Sequence, residues 1–363
     1  MLVMGTREGG RGVTGKREDG ERTAPAGAVL EVACDESGSD GENLTGGNTD
    51  VFAHASVRLS MASAAASVRE IRDRIRSPAE EYKANHLLRE KHRAVLEWLL
   101  CPSGPIHGRA HVHLTEKAFF VVDRVVGLLL GDPAEAAPLF RAGRGTFGDE
   151  AWREFLTSAN RLLRRNGVRD GDADRTEPVD AFFRTVEALC RAHPGTDAAA
   201  RLERLAAARP RAAAHRARIL AGPALVPVLN PLLPAVVATA AHWSAGGQPV
   251  HLVHDRQNML TPERIAWIEQ TARLGGIGLV EVRLVAARLD PRVQLADFLA
   301  GIARKIASDE LNGHGDAELT ALLRPYVGTA SVWGDARSWA ALTRQADDAA
   351  LPARPDPVGR TAR

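Results

Sequence analysis

The chain has 363 residues and 38.9 kDa, with 45% apolar and 25% charged side chains, enough to bury a large core and too long for a small stapled scaffold. Its 47 basic and 45 acidic residues leave a formal charge of +2, so any basic function must sit in a local patch rather than in a general electrostatic coat. Five of the 47 basic residues are lysines and 42 are arginines, a skew that a GC-rich genome explains without forty guanidinium contacts.

Three scattered cysteines, Cys34, Cys101 and Cys190, form no C-x-x-C pair, which argues against a disulfide framework and against thiolate zinc, and predicts a reducing cytoplasm. The first residues lack an apolar h-region and predict no secretory signal. Residues 1–27 are Gly, Arg, Glu and Thr with almost no apolar run, and together with a Pro/Arg-rich tail at 351–363 they are expected to be disordered.

Val29 to Cys34 (VLEVAC) reads as the first strand, bounded by Gly27 and a turn-rich run at 37–48, and Val51 to Leu59 as the second. An Ala-rich helix is predicted from Ser63 to Arg76. A second helix follows Pro78, with Leu87, Leu88, Val95, Leu96, Leu99 and Leu100 at helical spacing, and stops at Pro102. Gly108 to Leu114 is a short strand, and Glu116 to Leu130 a helix ended by Gly131 and Pro133.

From 132 to 230 the chain is Ala/Arg-rich and helical, and is read as an insertion. From 201 to 218, Arg201, Arg204, Arg209, Arg211, Arg216 and Arg218 stand against the single Glu203 and predict an exposed basic helical surface, which would contact phosphate if it borders a cleft. Ala221 to Ala241 carries no charge, but Pro223, Pro227, Pro231 and Pro234 argue against a membrane span and for a buried helix starting near Pro231. Strand and helix then alternate: Val250–His254, Pro262–Leu274, Leu279–Leu284, Val293–Ala307. Thr261 is the expected N-cap of the Pro262 helix, with Gly275 past its end. The pattern predicts α/β layers, with a first part at 28–131, a second at 231–315, and a helical extension at 316–350.

Acids at the ends of buried strands need a reason, because charge is costly where water is scarce. Asp35 closes VLEVAC and Asp255 closes VHLVH. Strand alternation places Asp35 and Glu36 on opposite faces, so one of them points into a shared site; Asp35 is favoured and Glu36 is the substitute. Asp297, in VQLADFLAG, falls with Gln294 and Gly301 opposite the stripe Leu295, Phe298, Leu299, Ile302 and Ile306. Either that face is solvated, or the helix is buried on both sides. Glu81-Tyr82-Lys83 sits where the chain enters a helix, and dipole compensation accounts for Glu81 equally well. His111 and His113, two apart on a strand, form a rival pair that lacks further zinc ligands.

Taken in order, CDESG at 34–38, E-Y-K at 81–83, VHD at 253–255 and VQLADFLAG at 293–301 resemble the motifs of a bacterial family known as domain of unknown function 3800. The resemblance covers about 28 to 310 in two pieces, interrupted by the insertion. It implies an RNase H-like mixed sheet flanked by helices, with Asp35, Glu81, Asp255 and Asp297 holding Mg²⁺ or Mn²⁺ and Lys83 beside them. Such carboxylates suit phosphodiester hydrolysis, where two divalent ions about 4 Å apart activate water and neutralise the leaving oxygen. The function expected is that of a metal-dependent nuclease or phosphodiesterase. The alternative is a non-catalytic protein of the same fold that binds nucleic acid or a protein partner through its arginines.

Overall fold

The computed structural model describes residues 29–76, 87–165, 178–222 and 224–343. The expected disordered segments at 1–27 and 351–363, and the end of the C-terminal extension, lie outside these.

Five strands form one mixed sheet in the order β3-β2-β1-β4-β5: β1 Leu30–Ser37, β2 Val51–Val57, β3 Ala110–Glu116, β4 Val250–Asp255 and β5 Leu279–Val285. β1–β2 and β2–β3 are antiparallel, whereas β1–β4 and β4–β5 are parallel. β1 runs three residues beyond the predicted end at Cys34, because antiparallel pairing with β2 continues to Ser37 opposite Ala53. Asp35 and Glu36 are therefore strand residues rather than turn residues.

Helices cover both faces, as an α/β layering requires. On one side lie α1 (Met61–Ile75), α2 (Arg93–Leu100) and the long α11 (Pro291–Leu311), packed on Ala53, Ala55, Val112 and Leu114 through Leu295, Leu299 and Ile302. On the other lie α9 (Leu232–Trp243) and α10 (Pro262–Leu274), packed on Val32, Cys34, Phe52 and Leu252. Among the described residues no helix is long and apolar enough to cross a membrane. Thr261 caps α10 as expected, accepting from the Arg264 N–H, but the left-handed residue after it is Gly276 at φ +68°, with Gly275 at −82°.

The insertion builds a second hydrophobic core together with the helix that precedes it. α3 (Lys117–Leu130) leads into α4 (Ala136–Phe147), α5 (Asp149–Leu163), α6 (Pro178–Ala192), α7 (Asp197–Ala206) and α8 (Arg209–Ala221), whose Trp152, Phe155, Phe182 and Phe183 pack with Phe120, Val122 and Val126 of α3. Of the six arginines from 201 to 218, Arg204, Arg209, Arg211 and Arg218 are exposed as expected, whereas Arg201 is half-buried and Arg216 is buried. Arg216 is buried and donates to the Arg164 carbonyl, Arg201 and Arg204 both pair with Glu135, and Arg209 pairs with Asp180 while lying over the Phe183 ring.

The C-terminal segment carries α12 (Ala317–Leu323) and α13 (Ala336–Thr343) and lies along β3. Val332 donates to the Leu114 carbonyl and accepts from the Glu116 N–H, and Gly328 donates to the Val112 carbonyl. The β3 edge of the sheet is thereby covered, which removes a template for strand addition on that side.

Candidate active site

Register places the first two acids side by side. Parallel pairing sets Ala33 opposite Val253 and Cys34 opposite His254, so Asp35 and Asp255 occupy the next position on adjacent strands, on the face that carries Ala33 and Val253. Val293 of α11 packs on those two residues, and Asp297 follows it one turn later. α11 begins where it does because Pro291 fits the first helical position and Asp290 caps it, accepting from the Arg292 N–H at 2.9 Å. Arg292 also reaches Glu31 of β1 at 2.8 Å, which ties the start of the helix to the strand.

Of the two readings of the Asp297 face, the structure has the second. α11 is buried nearly all round, Gly301 included, and Gln294, Asp297 and Arg304 remain half-buried on its polar side. Asp35 is 8% exposed and accepts one hydrogen bond, from the Glu36 N–H at 2.8 Å. Burial, and then the charges of Glu36, Asp297 and Asp255, push its carboxyl up to about 9. Asp255 accepts from the Ala287 N–H at 2.8 Å. Three acids from β1, β4 and α11 thus meet electrostatically at one place. Glu81 and Lys83 lie outside the described residues.

Glu36 points to the opposite face. Its Oε2 lies 3.5 Å from His254 Nε2, and burial pushes its carboxyl up while His254 pulls it down. A row of histidines continues across that face beneath α9. The His254 ring stacks on His54 at 5.3 Å, His54 Nδ1 shares a 2.9 Å hydrogen bond with the Thr239 hydroxyl, and His111 stacks on His242 at 3.8 Å. His54 Nε2, His111 Nδ1 and His113 Nδ1 are buried without a hydrogen-bond partner.

Burial holds these rings below the ordinary 6.5, at about 3 for His111 and about 4 for His113, with His54 depressed as well. A folded pKa lower than the unfolded one means that the unfolded chain takes up protons first, so this contribution to stability falls as pH drops from about 6.5 toward 4. His111→Gln is expected to lose less stability than the wild type between pH 7.5 and 5, read as the change in urea midpoint. An identical pH slope in the two proteins contradicts the assignment.

Two further features of the site had no sequence argument behind them. Gly38, the last residue of CDESG, has φ +89°, and a Cβ there would stand 2.4 Å from the Val51 carbonyl oxygen and 2.8 Å from Arg304 Cδ. Gly38→Ala is expected to destabilise by about 1–3 kcal/mol from the backbone alone, with displacement of Arg304 in addition; thermal unfolding measures it. Lys117, at the start of α3, is buried and ion-paired with Asp40, and it donates to the Thr49 carbonyl at 2.9 Å and to the Thr49 hydroxyl. That clamp holds the loop at 38–49 that leaves the acid-bearing strand.

The donors around Asp35 are carboxylate oxygens, the hard ligands that Mg²⁺ and Mn²⁺ take. Among the described residues no three His, Cys, Asp or Glu side chains are arranged to hold a metal ion. The carboxylates thus suit a divalent cation by donor chemistry, while their arrangement is not that of a formed ligand cluster. The chain matches no protein-family model, no curated protein and no solved structure.

Proposed function

We propose that the chain is an RNase H-like, divalent-metal-dependent phosphodiester hydrolase related to the domain of unknown function 3800 family, with Asp35, Asp255 and Asp297 as its central acids. The observation that supports the reading is the place of Asp35: a carboxyl buried in the central strand, beside Asp255 on the adjacent strand and near Asp297 of α11, and raised to about 9 by burial first and then by Glu36, Asp297 and Asp255. A packed core gains nothing from such repulsion, whereas a cation site needs it. The mixed five-stranded sheet with helices on both faces is compatible with the same reading.

Mg²⁺ or Mn²⁺ bound there would neutralise a scissile phosphate and its leaving oxygen. Asp35 would hold the ion from the rigid centre of the sheet, Asp297 from α11, and Asp255 from β4, its second oxygen fixed by the Ala287 N–H. Glu81 completes the acids that the resemblance implies, with Lys83 beside it and Glu36 as the substitute donor. The test is a panel of single- and double-stranded DNA and RNA incubated with Mg²⁺ or Mn²⁺. Cleavage lost on chelation and absent in Asp297→Asn supports hydrolysis; no cleavage of any substrate under either ion counts against it.

A further inference from the structure

Two cavities of about 360 and 540 Å³ lie between α5 of the insertion and α11. They share Asp50, Ala118, Arg153 and Leu156 as common wall, so they form one continuous groove. Its near end is Arg304, whose Nε donates to Ser37 Oγ at 3.0 Å. Ser37 follows Asp35 by two residues on β1, and Arg304 follows Asp297 by two helical turns, about 10 Å, on α11, so this end of the groove is the one nearer the acids, which do not themselves line it.

The charges along the groove are unequal in their engagement. Asp50 accepts from Ser308 and Asn312, Glu116 from the Gly334 and Asp335 N–H groups, and Asp149 is paired with Arg144. Arg304 forms no ion pair with a carboxylate among the described residues, its Nε being given to Ser37, and Arg153 faces Asp149 only at longer range, that carboxylate being held by Arg144. An arginine whose planar fork has no carboxylate partner suits a phosphate, which it can meet with two parallel N–H donors. Trp152 backs the far wall from the core, stacked on Phe155, and Phe140 is half-buried beside it; with the carboxylates of the lining already engaged, these two arginines are the groups left to follow a strand's phosphates.

We infer that this groove carries a single-stranded nucleic acid, with Arg304 on the phosphate nearest the acids and Arg153 on one farther along. The assignment rests on the hydrolase reading in that the acids mark the reacting end. A duplex needs wider access than a groove walled by two helices.

The test is fluorescence anisotropy of the full chain with short fluorescein-labelled single-stranded DNA and RNA, and with a duplex, in EDTA so that binding is read apart from cleavage. Arg304→Gln and Arg153→Gln are each expected to weaken single-strand binding about 10-fold and to flatten the slope of log affinity against log salt by about 0.7. Arg304→Lys should recover part of the affinity. Arg184→Gln, in an exposed arginine of α6 that lines neither cavity, should bind as the wild type does, and unchanged melting temperatures establish that the variants are folded. Absence of single-strand binding, preference for the duplex, or undiminished affinity in both arginine variants overturns the inference. A protein that binds through these arginines yet cleaves nothing keeps the groove and loses the hydrolase; one that cleaves with affinity indifferent to them does the reverse.

Discussion

Asp35→Asn is expected to raise the stability of the metal-free protein while removing divalent-dependent cleavage. In the folded chain the Asp35 carboxyl is pushed up to about 9 from an ordinary 3.8 by burial and by Glu36, Asp297 and Asp255. Below pH 3.8 both folded and unfolded states hold the proton and the group is neutral to stability. As pH rises toward 9 the unfolded chain ionises first, so Asp35 costs more and more stability across that window. An amide keeps the shape and loses the charge. At pH 7 the gain should be about 1–3 kcal/mol, larger at pH 8 than at pH 5, and readable as a rise in melting temperature in EDTA. Cleavage should fall on the order of 100-fold or more, the scale of losing one strong electrostatic stabiliser. A variant that is less stable than the wild type at pH 8 would return Asp35 to an ordinary hydrogen-bonding role.

The second large effect is expected at Lys117. Its ammonium is buried, and Asp40, Thr49 Oγ1 and the Thr49 carbonyl are its partners. Lys117→Met leaves Asp40 as a largely buried carboxylate without its cation, which should cost about 3–5 kcal/mol, or roughly 10 °C in melting temperature for a chain of this size. Lys117→Met with Asp40→Asn should recover a substantial part, because the orphaned charge is gone. Equal losses in the single and double variants would show that packing of the lysine stem, rather than the ion pair, holds the loop.

The acids of the site were legible because they interrupt apolar strands: VLEVAC ending at Asp35 and VHLVH ending at Asp255 carry their meaning in the local pattern. Their adjacency was not, since it depends on the parallel register of β1 and β4, set by Ala33 opposite Val253 more than two hundred residues away. Asp297 shows the limit of helical periodicity. Its polar face borders β1 and β4, an arrangement the helix pattern alone leaves open. Arg304 had a signal that went unused, the spacing of seven from Asp297 that returns to the same face of a helix. Gly38 had none, because the need for its positive φ arises from Val51 and Arg304 rather than from its neighbours in sequence.

The insertion was legible as helical, and its basic surface only in part: Arg204, Arg209, Arg211 and Arg218 are exposed, whereas Arg201 and Arg216 are not. Composition counts arginines and does not say where they point: Arg216 turns inward to a carbonyl and Arg201 and Arg204 share one glutamate. The strand ends were likewise misjudged at Cys34, where the polar run DES looks like a turn until β2 pairs with it. In each case long-range partners overrode a local pattern that was read correctly as far as it went.

Cation binding tests the central claim most directly, because it needs neither a substrate nor a product. Titrating Mn²⁺ into the full chain and following the free ion by electron paramagnetic resonance should show stoichiometric uptake by the wild type, and uptake weakened at least about 10-fold in both Asp35→Asn and Asp297→Asn. Retention of wild-type Mn²⁺ affinity in the two variants, or no uptake by the wild-type chain, would contradict the account.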